Sequence, residues 1–292
     1  MTISATEAKS GKGHEDENFP VASRLIHPRH RGAVLAFYRF VRAADDVADH
    51  ATLTGDEKLR MLNAMEASLL GTGPADPEAE PLRRILAERG LSPTHAQHLL
   101  DAFRLDARKS RTKDWADLMH YCSLSAMPVG RYVLDVHGED RSTWAASDAL
   151  CAALQVINHL QDCGKDYRKI DRVYLPEDAM ARHGMRIEDL GADAASPALL
   201  AVIRELNART AMLLDESRPF AAQIRDRRLG LEVAVIQSLA EALVGKLERR
   251  DPLSERVHVG KAEALVRTIA GVIRGAWQRR KAPAPARFGA VS

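Results

Sequence analysis

Apolar side chains recur every three or four positions along most of this chain, the spacing that lines one face of an α-helix. The pattern predicts helices over 29–50, 55–70, 79–89, 94–109, 114–136, 142–167, 175–182, 197–224, 228–248 and 259–278. Strand signals are nearly absent, with no alternating β-branched run longer than about four residues. Gly and Pro cluster at 71–77, 90–93, 128–130 and 184–197, which are the expected loops. Helices joined by short connections, with no sheet, form an all-α bundle whose ligand sites lie between facing helices. Residues 1–17 lack apolar periodicity and are expected to be a flexible leader. Pro283 and Pro285 cannot continue a helix, so 279–292 is expected to be a flexible basic tail. One helical domain, 18–278, remains between them.

Two helical faces interrupt this apolar order. On the first, Asp45 has Tyr38, Val41, Arg42, Ala48 and Asp49 as its helical neighbours. A rise of about 1.5 Å per residue puts the Asp45 and Asp49 carboxylates about 6 Å apart along the axis. Like charges so placed repel, and more so where burial strips their hydration. A hard cation offsets both costs, and Mg²⁺ favours one or two carboxylates together with waters and phosphate oxygens. Phe37, Phe40 and small Ala43, Ala44 and Ala48 around the pair suit a helix packed on most sides. A solvated acidic helix end is the alternative.

The second face runs through Gln155, Asn158, His159, Asp162, Lys165 and Asp166, with Leu150, Leu154, Ile157 and Leu160 opposite. An ordinary solvated face carries mostly Lys, Glu and Arg. Here amides lead into carboxylates, and Asn158, Gln155 and Gln161 can bind water or phosphate. Two i,i+4 aspartate pairs on separate long helices suggest one shared site holding two or three Mg²⁺ around a diphosphate. Arg42 and Arg172 would add charge-assisted hydrogen bonds to the same group.

Composition narrows the setting. The chain has 292 residues, 46% of them apolar, enough for a sizeable core. A formal net charge of +2 gives no field for nucleic acid, so no such partner is expected. Cys122, Cys151 and Cys163 are odd in number and lack metal-ligand spacing, which suits reduced thiols. No apolar run approaches the roughly 18 residues of a membrane span, and the first residues are too polar for a signal peptide. A cytoplasmic protein is expected, with weak peripheral contact to the inner membrane face through Arg279-Arg280-Lys281.

The two motifs resemble those of the squalene and phytoene synthase family of head-to-head prenyl transferases. Tyr38 and Arg42 stand at matching spacing ahead of Asp45-x-x-x-Asp49. Asn158-x-x-x-Asp162-x-x-x-Asp166, running on to Arg172-Val-Tyr174-Leu-Pro176, is similar to the second motif and its Arg-x-Tyr-x-Pro tail. The resemblance covers roughly 18–275. It implies a single-domain isoprenoid synthase bundle with a central active-site cavity, and an isoprenoid diphosphate substrate. Asp45, Asp49, Asp162 and Asp166 would be metal ligands and, with Tyr38, catalytic. Arg42, Gln155, Asn158, Gln161, Arg172, Tyr121 and Tyr174 would bind substrate. Mg²⁺, with Mn²⁺ as the alternative, would be the cofactor, without nicotinamide. Neighbouring pathway enzymes would be partners.

A narrower resemblance, to the hydroxysqualene synthase branch of bacterial hopanoid pathways, rests on Asn18-Phe-Pro-Val-Ala-Ser23, Phe103-Arg-Leu-Asp106, Tyr121-Cys122 and Ser125-Ala-Met-Pro-Val-Gly-Arg131. It implies that presqualene diphosphate loses diphosphate and that water captures the rearranged cation. The alternative is a condensing transferase making presqualene diphosphate or phytoene; a scaffold that kept only the fold fits intact aspartates poorly. Lys165 and Gln161 depart from the wider family pattern, which has an acidic residue and an Arg there, and Asp171 looks like a one-residue insertion. These changes favour handling one diphosphate rather than two. The 129–136 and 229–244 helices are expected to supply apolar lining or plain core. Tyr38 and Tyr121 would offer ring faces to a cation or pack the core, and His159 would assist water or be structural. Asp106 is expected to pair with Arg104 or Arg108 or to help position Mg²⁺ or water, and Arg256 and Lys261 to close over the diphosphate.

Overall fold

Local signals set most helix ends where the periodicity changes. Thr54 accepts from the Glu57 backbone N–H while the Glu57 carboxylate accepts from that of Thr54, a reciprocal cap for the next helix. Asp114, Ser196 and Asp226 each cap a helix start through a side-chain oxygen. Gly71, Gly90 and Gly138 end helices in the left-handed conformation that glycine adopts without strain.

The computed structural model describes residues 27–281. The expected leader, the Asn18–Ser23 motif and residues 282–292 lie outside them. The helices are α1 (Pro28–Ala48), α2 (Gly55–Leu70), α3 (Ala79–Arg89), α4 (Thr94–Asp106), α5 (Trp115–Ser125), α6 (Met127–His137), α7 (Trp144–Ile170), α8 (Glu177–Arg182), α9 (Pro197–Ser217), α10 (Phe220–Gln223), α11 (Arg227–Leu247) and α12 (Lys261–Lys281).

Three expectations change. The helix expected over 114–136 is two helices meeting at Ala126, because Pro128 starts α6 and cannot donate into a preceding turn. Pro219 likewise divides 197–224 into α9 and α10. Two short strands, β1 (Arg111–Thr112) and β2 (Val173–Pro176), pair in parallel with Arg111 opposite Val173. So short a pair leaves no periodicity to read. In addition, α12 runs three residues past the expected boundary at 278, so the first residues of the basic tail are helical.

Two apolar clusters form the core. One surrounds α7 and includes Ile157, Leu160, Val202, Ile203 and Leu243. The other surrounds α1 and includes Phe40, Val47, Leu62, Leu82 and Leu100. Helix α6 joins them: Leu134 belongs to the first, whereas Tyr132 and Val136 belong to the second. Tyr132 stacks on Phe37 at 3.9 Å and donates its hydroxyl proton to the Ala33 carbonyl at 3.1 Å. In the apolar stretches singled out from the sequence, Tyr132, Leu134, Leu229, Val233 and Leu243 are core, whereas Val129 is exposed. Cys122, Cys151 and Cys163 are free thiols. Among the described residues, no helix is long and apolar enough to cross a membrane.

Candidate functional site

The polar residues converge where the two apolar clusters meet. Helix α1 delivers Asp45 one turn before its end and Asp49 at its C-cap. Arg42 turns back along the helix, its guanidinium 3.0 Å from Asp45 and 2.9 Å from buried Asp46. Tyr38 is half-buried two turns before Asp45. The carbonyl of Ala48 accepts from Lys58 Nζ at 2.8 Å, which places a cation at the negative end of the α1 dipole.

The link between the two motifs is Arg172. Helix α7 ends at Asp171, the only non-glycine with positive φ among the described residues, at φ 48°. Asp is one of the few residues that visit this region readily. Its backbone carbonyl and carboxylate accept from Arg111 of β1 at 2.5 and 2.6 Å. This turn sends Arg172 inward and starts β2. Buried Arg172 donates from Nη1 to Asp49 Oδ1 at 2.8 Å, across 123 residues of sequence, and its Nε lies 3.6 Å from Asp106 Oδ1. The apparent insertion is thus the turn that aims the arginine.

Asp106, at the end of α4, accepts from the Tyr121 hydroxyl at 2.8 Å and the Tyr174 hydroxyl at 3.2 Å. Burial pushes its carboxyl up to about 6, against the lowering effect of Arg172 and Tyr121. The expected partners are elsewhere: Arg104 bonds to Asn63, Glu66 and Asp101 on the outer side of α4. The sequence held a signal for this. Asp106 continues the helical face of Leu99 and Phe103, both buried. The His159 ring stacks on Tyr174 at 3.7 Å, with Tyr121 5.9 Å away. Burial, and then Arg172, lower its imidazole to about 3, so it is neutral, and its Nε2 is 3.2 Å from the Gln155 amide nitrogen.

On α7, Asp162 is half-exposed and paired with Lys165 at 2.9 Å. Asp166 is pushed up to about 7, first by burial and then by the negative charges of Asp162 and Asp49. The first aspartate face therefore acts electrostatically on the second. Asn158 lies half-buried one turn before Asp162. Gln161 donates its amide to the Val257 carbonyl. It ties α7 to the 251–260 loop, which Asp251 shapes by accepting from Ala195, Leu253 and Ser254. Between that loop and α7 is a cavity of about 410 Å³, lined in part by Asp162, Lys165, Arg168, Arg256 and His258. Arg256 is thus beside the second motif, whereas Lys261 opens α12 and is exposed.

The four aspartates suit a hard dication. Asp166 carries repulsion that a metal would relieve, and Asp45 and Asp162 keep partly exposed carboxylate oxygens. Arg42, Lys165 and Arg172 supply cations at the same place, each already tied to a carboxylate. Asp106 and His159, named from the sequence as structural or assisting residues, stand beside these groups, and Lys58, not singled out there, acts on the same charges.

Known proteins match this chain in sequence and fold. A family-wide sequence profile described as squalene/phytoene synthase matches residues 13–263. The chain is 60% identical to a hydroxysqualene synthase of Rhodopseudomonas palustris over 263 residues, 90% of each chain. It is 51% identical to one of Sinorhizobium fredii over 94% of each. Among solved structures, squalene synthase HpnC from Alicyclobacillus acidocaldarius superposes with a TM-score of 0.71 at 28% identity, over 84% of this chain and 92% of that one. A dehydrosqualene synthase in complex with ligand shares the fold at a TM-score of 0.76 and 22% identity, over 88% and 90% of the two chains.

Proposed function

Because this chain belongs to the squalene/phytoene synthase family, we propose that it is a hydroxysqualene synthase, converting presqualene diphosphate and water to hydroxysqualene and diphosphate in squalene and hopanoid biosynthesis. The observation that carries this is the Arg172–Asp49 bond of 2.8 Å, which closes the tail of the second motif onto the end of the first. Likeness to hydroxysqualene synthases along almost the whole chain supports this product over phytoene.

Asp45, Asp49, Asp162 and Asp166 would hold Mg²⁺ or Mn²⁺, which would supply Lewis-acid neutralisation of the leaving diphosphate. The protein's own cations share that task. Arg42, Lys165 and Arg172 exchange their carboxylate partners for diphosphate oxygens, and Asn158 donates from its amide. The substrate C–O bond breaks, and diphosphate leaves with the electron pair. Tyr121, Tyr174 and neutral His159 offer aromatic surface to a carbocation beside the carboxylates, which offset the charge of neighbouring Arg172. The cyclopropylcarbinyl cation rearranges with opening of its three-membered ring, water then adds through its oxygen to the rearranged cation, and the proton passes to the released diphosphate or to solvent. The conversion is redox-neutral, so it needs no nicotinamide, and its class is a carbon–oxygen lyase. An enzyme that joins two isoprenoid chains must supply the substrate.

The test uses purified protein, Mg²⁺ and presqualene diphosphate in ¹⁸O-labelled water, without nicotinamide. Labelled hydroxysqualene is expected. Turnover of farnesyl diphosphate with none of presqualene diphosphate would replace this reading with a condensing transferase.

A further inference from the structure

Helix α12 docks with its small residues and turns its large ones away. Gly271 and Gly275 face α11 so closely that a Cβ on Gly271 would lie 2.8 Å from the Ala234 carbonyl oxygen, and one on Gly275 2.7 Å from Ala234 Cβ. The outer side carries Leu265, Val266, Ile269 and Ile273, and Trp277 stands at its flank, where it also lines a cavity with Arg218, Gln237 and Arg274; all five are between 52 and 64% exposed. They are five of the eight exposed large hydrophobics among the described residues, so the exposure is concentrated on one helix rather than scattered. Leu265, Ile269, Ile273 and Trp277 recur at four-residue spacing and form a continuous stripe.

Charge identifies what suits this stripe. Across Lys261–Lys281 there are six basic residues and one acidic residue, Glu263. Glu263 is itself paired with Lys246 at 2.8 Å. The run ends in Arg279-Arg280-Lys281, two residues on from Trp277. A large apolar face flanked by cations, with an aromatic side chain near one end, is the composition of a helix lying in the interface of an anionic bilayer. Basic residues near such a surface each add attraction that salt screens.

We propose that α12 is an interfacial helix that inserts Leu265, Ile269, Ile273 and Trp277 into the surface of an anionic membrane. This surface is separate from the carboxylate site and does not depend on which isoprenoid diphosphate is turned over. It leaves the glycine seam against α11.

Flotation of the full chain with vesicles provides the test. Phosphatidylcholine vesicles containing phosphatidylglycerol are expected to carry the protein, phosphatidylcholine alone much less, and raised salt to weaken the binding. The combined variant Leu265→Ser, Ile269→Ser and Ile273→Ser, whose sites are already exposed, is expected to keep its circular dichroism spectrum and lose at least about tenfold in partition. Brominated lipid is expected to quench tryptophan emission in the full chain but not in Trp277→Phe. Failure of the full chain to bind either vesicle overturns the proposal, as does equal binding by the serine variant. A dimer in sedimentation that the serine variant dissolves, with no vesicle binding, assigns the face to a second copy and also overturns it.

Discussion

Arg172 shows how much one side chain organises here. It is buried, yet it reaches Asp49 from α1 and Asp106 from α4 while it belongs to β2. Removing one member of a buried charge group leaves the others unpaired, at a cost of about 3 kcal/mol or more. Arg172→Met is therefore expected to lower the urea unfolding midpoint by that equivalent and to cut turnover at least about a hundredfold. Arg172→Lys restores the charge without the fork that spans two carboxylates, so it is expected to recover stability better than rate. His30, in the first turn of α1, makes a different prediction. It is buried, with Arg29 Nε donating to its Nε2 at 2.7 Å and Arg89 Nη1 3.5 Å from its Nδ1. Burial, then His137, Arg29 and Arg89, lower its imidazole to about 4, while Asp226 opposes them. The unfolded chain, near the ordinary 6.5, takes up this proton first. The contribution of His30 is thus complete above about pH 6.5 and is lost as pH falls towards 4. Thermal midpoints of the wild type are expected to fall more steeply than those of His30→Gln across that window.

At the scale of elements, the helices were legible because burial imposes a 3.6-residue period wherever a helix has an inner face. The period does not say which face docks. In α12 the apolar residues suggest an inward stripe, but Gly271 and Gly275 let the helix axis approach α11 so closely that the small face wins the contact. Gly271→Leu is expected to lift α12, because the side chain meets backbone atoms of Ala234 and Val235 that have no room to move. Overpacking of this kind costs about 1–3 kcal/mol. Hydrogen exchange is expected to quicken in α12 and stay unchanged in α7. The break between α5 and α6 was half legible: Pro128 is an evident interruption, but whether the chain turns or merely kinks there depends on what α6 packs against. Tyr132 on Phe37 decides that.

Across the whole molecule, two apolar clusters meet at a polar seam, and the carboxylates accumulate there because neither cluster can accept them. Filling the seam with Mg²⁺ and diphosphate is expected to stabilise the fold by mass action, by about 3 kcal/mol at a hundred times the dissociation constant. The rise in melting temperature is expected to vanish in the Asp45→Asn, Asp162→Asn double variant, checked by calorimetry with and without chelator. How this seam is built divides what the chain states locally from what it does not. The amino-acid sequence by itself determined the all-helical architecture, the two i,i+4 aspartate faces and their kinship, since each depends on spacing within one helix. Only the tertiary structure decided the long-range partners. Asp106 pairs with Arg172, Tyr121 and Tyr174, Gln161 bonds to the 251–260 loop, and α12 faces Leu265, Ile269 and Ile273 outward. Those choices depend on which groups a third element leaves buried and unsatisfied, and no spacing within a single helix records that.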